Sequence, residues 1–236
     1  MKTVLHKADT RGNADHGWLK AHHTFSFAGY HDESRLHFGM LRVLNDDEVA
    51  AGMGFGMHPH DNMEIITIPL SGALQHRDNM GNTSVITKNE VQVMSAGTGV
   101  MHSEFNPSKT ESTKLLQIWV FPGEENVTPR YDQKVFNADE RKNNFQLIVS
   151  PENDNGSLMV HQQTWFSLIH LDKNKSADYI LKNKSDGVYV FVIEGEIKIG
   201  EINLNKRDGL GIAETEKFTL AASADSELLL MEVPLN

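Results

Sequence analysis

Short runs of apolar, largely β-branched residues recur along the whole chain, each closed off by Gly, Asn, Asp or Pro. Residues 64–68, 84–87, 91–94, 115–121 and 189–193 are the clearest of them. Apolar runs this short, bounded by turn residues, predict strands. Turn signals lie between them, as in Asp78-Asn79-Met80-Gly81-Asn82 and Asn153-Asp154-Asn155-Gly156. Helical periodicity is weak, and its best stretch, 138–142, predicts one short helix. The pattern predicts an all-β protein built as a sandwich or a barrel.

The same pattern falls into two halves. Residues 122–144 carry prolines, charges and amides with few apolar positions, which marks them as a connection. On either side a β-branched strand runs into a similar turn, Leu70-Ser71-Gly72-Ala73-Leu74 in one half and Ile193-Glu194-Gly195-Glu196-Ile197 in the other. Two β-units in tandem suggest a duplicated barrel. The expected organisation is a first barrel over residues 1–122, a connecting segment over 123–144 and a second barrel over 145–236.

Composition narrows the chemistry. The chain has 236 residues, 39% apolar and 23% charged, the balance of a soluble globular protein. It has no apolar run of the roughly 18 residues needed to span a membrane, so no membrane role is expected. Its first residues, Met1-Lys2-Thr3-Val4-Leu5-His6, lack the apolar core of a secretory signal, so a cytoplasmic location is expected. There is no cysteine, which removes disulfides, zinc–thiolate sites and cysteine nucleophiles. Any metal must therefore sit on His and carboxylate. The net charge is −10 and the longest basic cluster is Arg141-Lys142, too little to track phosphates, so direct nucleic-acid binding is not expected.

Ten of the twelve histidines lie at or before position 102, which places any polar chemistry in the first half. The central stretch is Gly52-Met53-Gly54-Phe55-Gly56-Met57-His58-Pro59-His60-Asp61-Asn62-Met63-Glu64. Side chains at i and i+2 of a strand share a face, so His58 and His60 point the same way, and Glu64 joins them if the strand continues. A second pair of like parity, His102 and Glu104, sits in Gly97-Thr98-Gly99-Val100-Met101-His102-Ser103-Glu104, with His102 42 residues after His60. If the two strands meet, three imidazoles and a carboxylate converge on one cation. That donor set suits Fe(II), Ni(II), Cu(II), Co(II) or Mn(II), with zinc also compatible.

The order Gly-x5-His-x-His-x3-Glu followed by Gly-x2-His-x3-Asn resembles the two sequence motifs of the cupin superfamily. The variant His58-Pro59-His60 with His102-Ser103-Glu104 resembles the pirin family in particular. So do Arg11-Gly12-Asn13-Ala14-Asp15-His16-Gly17-Trp18-Leu19 and His22-His23-Thr24-Phe25-Ser26-Phe27-Ala28. The similarity runs over nearly the full length and is strongest over residues 11–122. It implies a bicupin, two tandem barrels of the double-stranded β-helix or jelly-roll type, with one divalent metal in the N-terminal barrel. In most cupins the carboxylate ligand would be Glu64; the pirin pattern implies instead that His58, His60, His102 and Glu104 are the ligands. Glu64 is then expected nearby, as a catalytic base or an orienting group. The positions corresponding to His58 and His60 in the second half are Leu181 and Asn183, so no metal is expected there.

The resemblance also implies a metal-dependent dioxygenase of the quercetin 2,3-dioxygenase type. It would use Fe(II) first among the candidate ions and act with dioxygen on a flavonol or another enolizable small molecule. The alternative from a different class is a non-catalytic metal-dependent sensor working through a protein partner. Among the other histidines, His76 is the best candidate to line the pocket, while His22, His23, His31 and His37 are expected to be structural. Trp18, Phe25 and Phe27 are expected to pack in the core or between barrels, with an aromatic substrate wall as the alternative, and Met53, Met57, Met63 and Met101 to fill the barrel.

Overall fold

The computed structural model describes residues 1–236 apart from the side chain of residue 155. The first half of the chain forms β1 (Lys2–His6), β2 (Gly12–Asp15), β3 (Leu19–His23), β4 (Leu41–Val49), β5 (Gly54–His60), β6 (Glu64–Ser71), β7 (Ala73–Asp78), β8 (Thr83–Thr87), β9 (Glu90–Ser95), β10 (Val100–Phe105), β11 (Thr113–Val120) and β12 (Arg130–Val135). The second half forms β13 (Gln146–Ser150), β14 (Leu158–Met159), β15 (Trp165–Leu171), β16 (Ser176–Ile180), β17 (Gly187–Glu194), β18 (Glu196–Ile199), β19 (Ile202–Asn205), β20 (Gly209–Ala213), β21 (Lys217–Ala222) and β22 (Ser226–Val233).

Each half folds as a seven-stranded sheet closed over by a four-stranded one. The N-terminal barrel pairs the order β12-β9-β6-β11-β4-β3-β2 with β5-β10-β7-β8, and the C-terminal barrel pairs β1-β20-β17-β22-β15-β13-β14 with β16-β21-β18-β19. This is the bicupin architecture. The two large sheets pack against one another, which is why their central strands are apolar on both faces. On β11, Leu116, Ile118 and Val120 enter the inter-barrel core, while Leu115 turns into the N-terminal barrel. On β17, Tyr189, Phe191 and Ile193 face the neighbouring barrel, and Val188, Val190 and Val192 fill their own.

The two interiors differ. Leu, Ile and Val side chains pack the C-terminal barrel, Leu181 among them. The N-terminal barrel has only two small apolar clusters, and polar side chains occupy much of its interior.

Three details depart from the sequence expectations. β1 does not join the first barrel: it pairs with β20, and the Lys7–Asp208 ion pair anchors it there. Residues 123–144 are more than a connection, because β12 extends the N-terminal sheet at β9. The nearly continuous run of polar side chains over residues 130–134 hid that half-exposed edge strand. The short helix expected at 138–142 is a 3-10 turn, Ala138–Arg141, capped by the Asn137 side chain. No helix among the described residues is long and apolar enough to cross a membrane.

Candidate metal centre

β5 and β10 lie side by side and antiparallel, with His58 directly opposite His102 and His60 opposite Val100. Alternation along each strand turns the three imidazoles into the barrel. Their ring centroids are 4.4 Å apart for His58 and His102, and 4.9 Å apart for both other pairs. One nitrogen from each falls within 4.8 Å of the others, close enough to share a cation. Glu104 follows on the same face of β10 and forms a second such group with His102 and His76. The three histidines and Glu104 together line a cavity of about 230 Å³.

A β-bulge shapes this wall. His58 faces His102 and Phe55 faces Glu104, so Gly56 and Met57 together oppose the single residue Ser103. The extra residue reverses the alternation and brings Phe55 inward beside the histidines.

Hydrogen bonds decide which atoms are free. His58 Nδ1 donates to the Gly56 carbonyl at 2.7 Å, leaving its Nε2 bare. His76 Nε2 lies 3.2 Å from Asp78 Oδ2, and His76 Nδ1 lies 3.4 Å from His102 Nδ1. A carboxylate only accepts, so neutral His76 carries its proton on Nε2 and its bare Nδ1 accepts from His102 Nδ1. The lone pair of His102 is thereby left on Nε2, a buried atom with no partner. Asp78 is pinned by the Met80 and Asn82 backbone amides and the Asn82 side chain. Tyr131, on β12, stacks on His76 at 4.5 Å. Glu104 Oε2 accepts from Gln117 Nε2 at 2.9 Å, and Glu104 Oε1 is buried and unpaired. The Thr67 hydroxyl holds Gln117 from behind, 3.1 Å from its Oε1.

Buried polar atoms left unpaired are costly. Here four belong to side chains lining one cavity, Asp47 Oδ1, His102 Nε2, Glu104 Oε1 and Trp119 Nε1, and the imidazole nitrogen with the Glu104 oxygen fits a divalent transition metal. Protonation states agree. Burial first, then His58, pushes His60 down to about 4. His102 is driven well below the ordinary imidazole range by burial and then by its histidine neighbours. Both therefore offer lone pairs at neutral pH, as metal binding requires. Burial pushes the Glu104 carboxyl up to about 7, and a cation beside it would favour the charged form.

Glu64 is not part of this arrangement. Residues 61–63 break the strand, β6 belongs to the opposite sheet, and Ile65 lines the cavity in its place. The Glu64 carboxyl is buried on the other face of β6, where the Ser95 hydroxyl donates to it at 2.7 Å. The carboxyl that lines the cavity besides Glu104 is Asp47, on β4, buried and with Oδ1 unpaired. Sequence reasoning passed over it, although Val43, Asn45, Asp47 and Val49 share one face of that strand and flank the acid with buried apolar positions. Of the three aromatics, Phe25 lies in the inter-barrel core and Trp18 packs against the cluster of Leu19, Ala21 and Val49, while Phe27 lines the cavity of the histidines. Met53, Met57 and Met101 do not fill the barrel. They are exposed, and Met57 and Met101 precede His58 and His102, so the alternation that turns those rings in turns the thioethers out.

Two family models match the chain, one described as Pirin over residues 4–120 and one as Quercetinase C-terminal cupin domain over residues 147–233. Over 230 residues, 98% of each protein, the chain is 44% identical to the quercetin 2,3-dioxygenase of Escherichia coli. It is 42% identical to a putative quercetin 2,3-dioxygenase of Pseudomonas aeruginosa, over 95% of this chain and 97% of that one. The crystal structure of the bacterial pirin YhhW from Escherichia coli in complex with nickel(II) superposes with a TM-score of 0.94 at 42% identity, over 99% of each chain.

Proposed function

Because the chain belongs to the pirin family of two-barrel cupins, we propose that it is a dioxygenase working with one divalent metal held by His58, His60, His102 and Glu104. The observation carrying this reading is the pair of buried, unpaired donor atoms, His102 Nε2 and Glu104 Oε1, on side chains of one cavity. The mixed imidazole–carboxylate set accommodates Fe(II), and nickel(II) is the ion in the Escherichia coli relative. Once bound, the ion would supply Lewis acidity and a common meeting point for dioxygen and an oxygen-donor substrate.

The residues of the chain suit a flavonol-like or otherwise enolizable small molecule. Phe27, Phe55, Ile65 and Trp119 give the cavity walls that receive a flat apolar body and keep water out. An enol must lose its proton to bind as an anion, and Asp47 is the carboxyl placed to take it. Burial, then Asp46 and Glu104, push Asp47 up to about 8, and a cation nearby would bring it back toward neutrality, where a general base works best. A sensor acting through protein contacts would need the same donors but no walled apolar cavity, so the cavity favours turnover.

The test is aerobic consumption of quercetin with detection of carbon monoxide, using protein loaded separately with iron and with nickel. Turnover that disappears in His58→Ala together with the bound metal is the expected result. Fully loaded protein that leaves quercetin intact with either ion would overturn the flavonol reading.

A further inference from the structure

Four polar side chains stand in register across the large sheet of the N-terminal barrel. His23 on β3 faces Asn45 on β4, Asn45 faces Gln117 on β11, and Gln117 faces Thr67 on β6. Directly opposed residues share a face of a sheet and can interact across it. The Thr67 hydroxyl holds the Gln117 amide by its oxygen at 3.1 Å, while Gln117 Nε2 donates to Glu104 at 2.9 Å. Asn45 repeats the arrangement one strand over. His23 Nδ1 lies 2.9 Å from Asn45 Oδ1, and an amide oxygen only accepts, so His23 carries its proton on Nδ1. That bond holds the amide by its oxygen and leaves Asn45 Nδ2 a donor with no protein acceptor among the described residues. Asn45 is only 3% exposed, yet Nδ2 is not sealed in protein as Asp47 Oδ1 and Trp119 Nε1 are. The hollow that Asn45 lines is the metal cavity.

We propose that Asn45 Nδ2 donates a hydrogen bond to the anionic oxygen of the substrate; the inference rests on reading this cavity as the substrate pocket. Asp47 and Glu104 line the same cavity, so an anion entering it meets two carboxyl groups and needs a donor to offset them. Asn45 and Asp47 share one face of β4 two residues apart, a separation of about 6.6 Å along a strand. One oxygen between them reaches both, since each hydrogen bond spans about 2.7–3.0 Å. An acidic hydroxyl seated there gives its proton to the Asp47 carboxylate, keeps the electron pair of the broken O–H bond, and is held as an oxyanion by the amide. His23 is a positioning residue, because it touches the amide and acts on the ligand only through it.

The experiment is anaerobic titration of nickel-loaded protein with maltol, an enol whose ultraviolet absorption moves to longer wavelength when its hydroxyl ionises. The titration gives Kd and the spectrum gives the ionised share of bound ligand. Asn45→Leu removes the donor; Asn45→Asp keeps the shape and the His23 contact but puts an acceptor where the donor stood. A hydrogen bond to a charged group contributes about 10–100-fold in affinity. Both variants should keep stoichiometric nickel and bind maltol at least about tenfold more weakly than the native protein, with less of it ionised. His23→Phe should lose part of that affinity in the native protein and nothing further in Asn45→Leu, a coupling that a merely structural role would not produce. Native affinity and ionisation in Asn45→Leu would overturn the role of Asn45 and leave the metal-pocket reading standing. If that variant fails to fold, native affinity in Asn45→Asp overturns it equally. Nickel-loaded native protein that binds no maltol would overturn the two together.

Discussion

Replacing His76 with Phe removes the Nδ1 acceptor that faces His102 and the Nε2–H donor that faces Asp78 while leaving a ring of similar breadth against Tyr131, and it should weaken metal binding without abolishing it. His76 is fully buried, and its Nδ1 is the group that keeps the His102 proton on Nδ1 and off Nε2. Without it, the buried His102 Nδ1–H loses its partner and the ring is no longer held in one tautomer. Groups that orient metal-bound histidines contribute about 10–100-fold in affinity, or about 1.4–2.7 kcal/mol. The His102–His76 contact is long for a hydrogen bond at 3.4 Å, so the lower end, about tenfold, is expected. Competition for nickel(II) against a chromogenic chelator at pH 7.5 measures the change, and elemental analysis measures stoichiometry. Unchanged affinity would refute the relay from Asp78 through His76. Loss of stoichiometric metal would refute it differently, by making His76 itself a ligand alongside His102 and Glu104, with which it also groups.

Asp47→Asn should flatten the decline in stability of the metal-free protein as pH rises from about 4 toward 8. The folded protein holds this carboxyl up at about 8, far above its ordinary value, so its contribution is fully present below about pH 4 and is lost as pH rises through 8. Each pH unit between about 4 and 8 costs the native protein about 1.4 kcal/mol that the amide avoids, and above 8 the loss is complete. Thermal melts from pH 6 to 9.5 that run parallel for the two proteins would contradict the buried, neutral carboxyl. Gly97→Ala should destabilise the loop that feeds β10. Gly97 sits at φ +47°, and an added Cβ would lie 1.9 Å from the Val127 carbonyl oxygen. A loss of about 1–3 kcal/mol in urea melts is expected from strain of this kind, and wild-type stability would show that the loop can move aside.

The comparison with the sequence separates local from remote causes. Alternation within a strand is a local property, so residue types and spacing alone sufficed to group His58 with His60 and His102 with Glu104. The all-β class was legible for the same reason, because a two-residue period between turn residues needs no knowledge of partners. Parity misled wherever the chain changed strand or slipped register. Glu64 shares the parity of His58 but lies past the break at 61–63, and the bulge at Gly56 and Met57 turns Phe55 onto the face that counting denies it.

What the sequence by itself determined is therefore the grouping of His58 with His60 and of His102 with Glu104, and the strands that carry them. Tertiary structure alone decided which of those strands meet. It put His58 opposite His102, placed Asp47 rather than Glu64 at the cavity, and ran β1 across to the second barrel. It also set His76 and Asp78 behind His102. Each of these depends on pairing between segments tens of residues apart or more, and that pairing is governed by the packing of two whole sheets against each other rather than by any short stretch of chain.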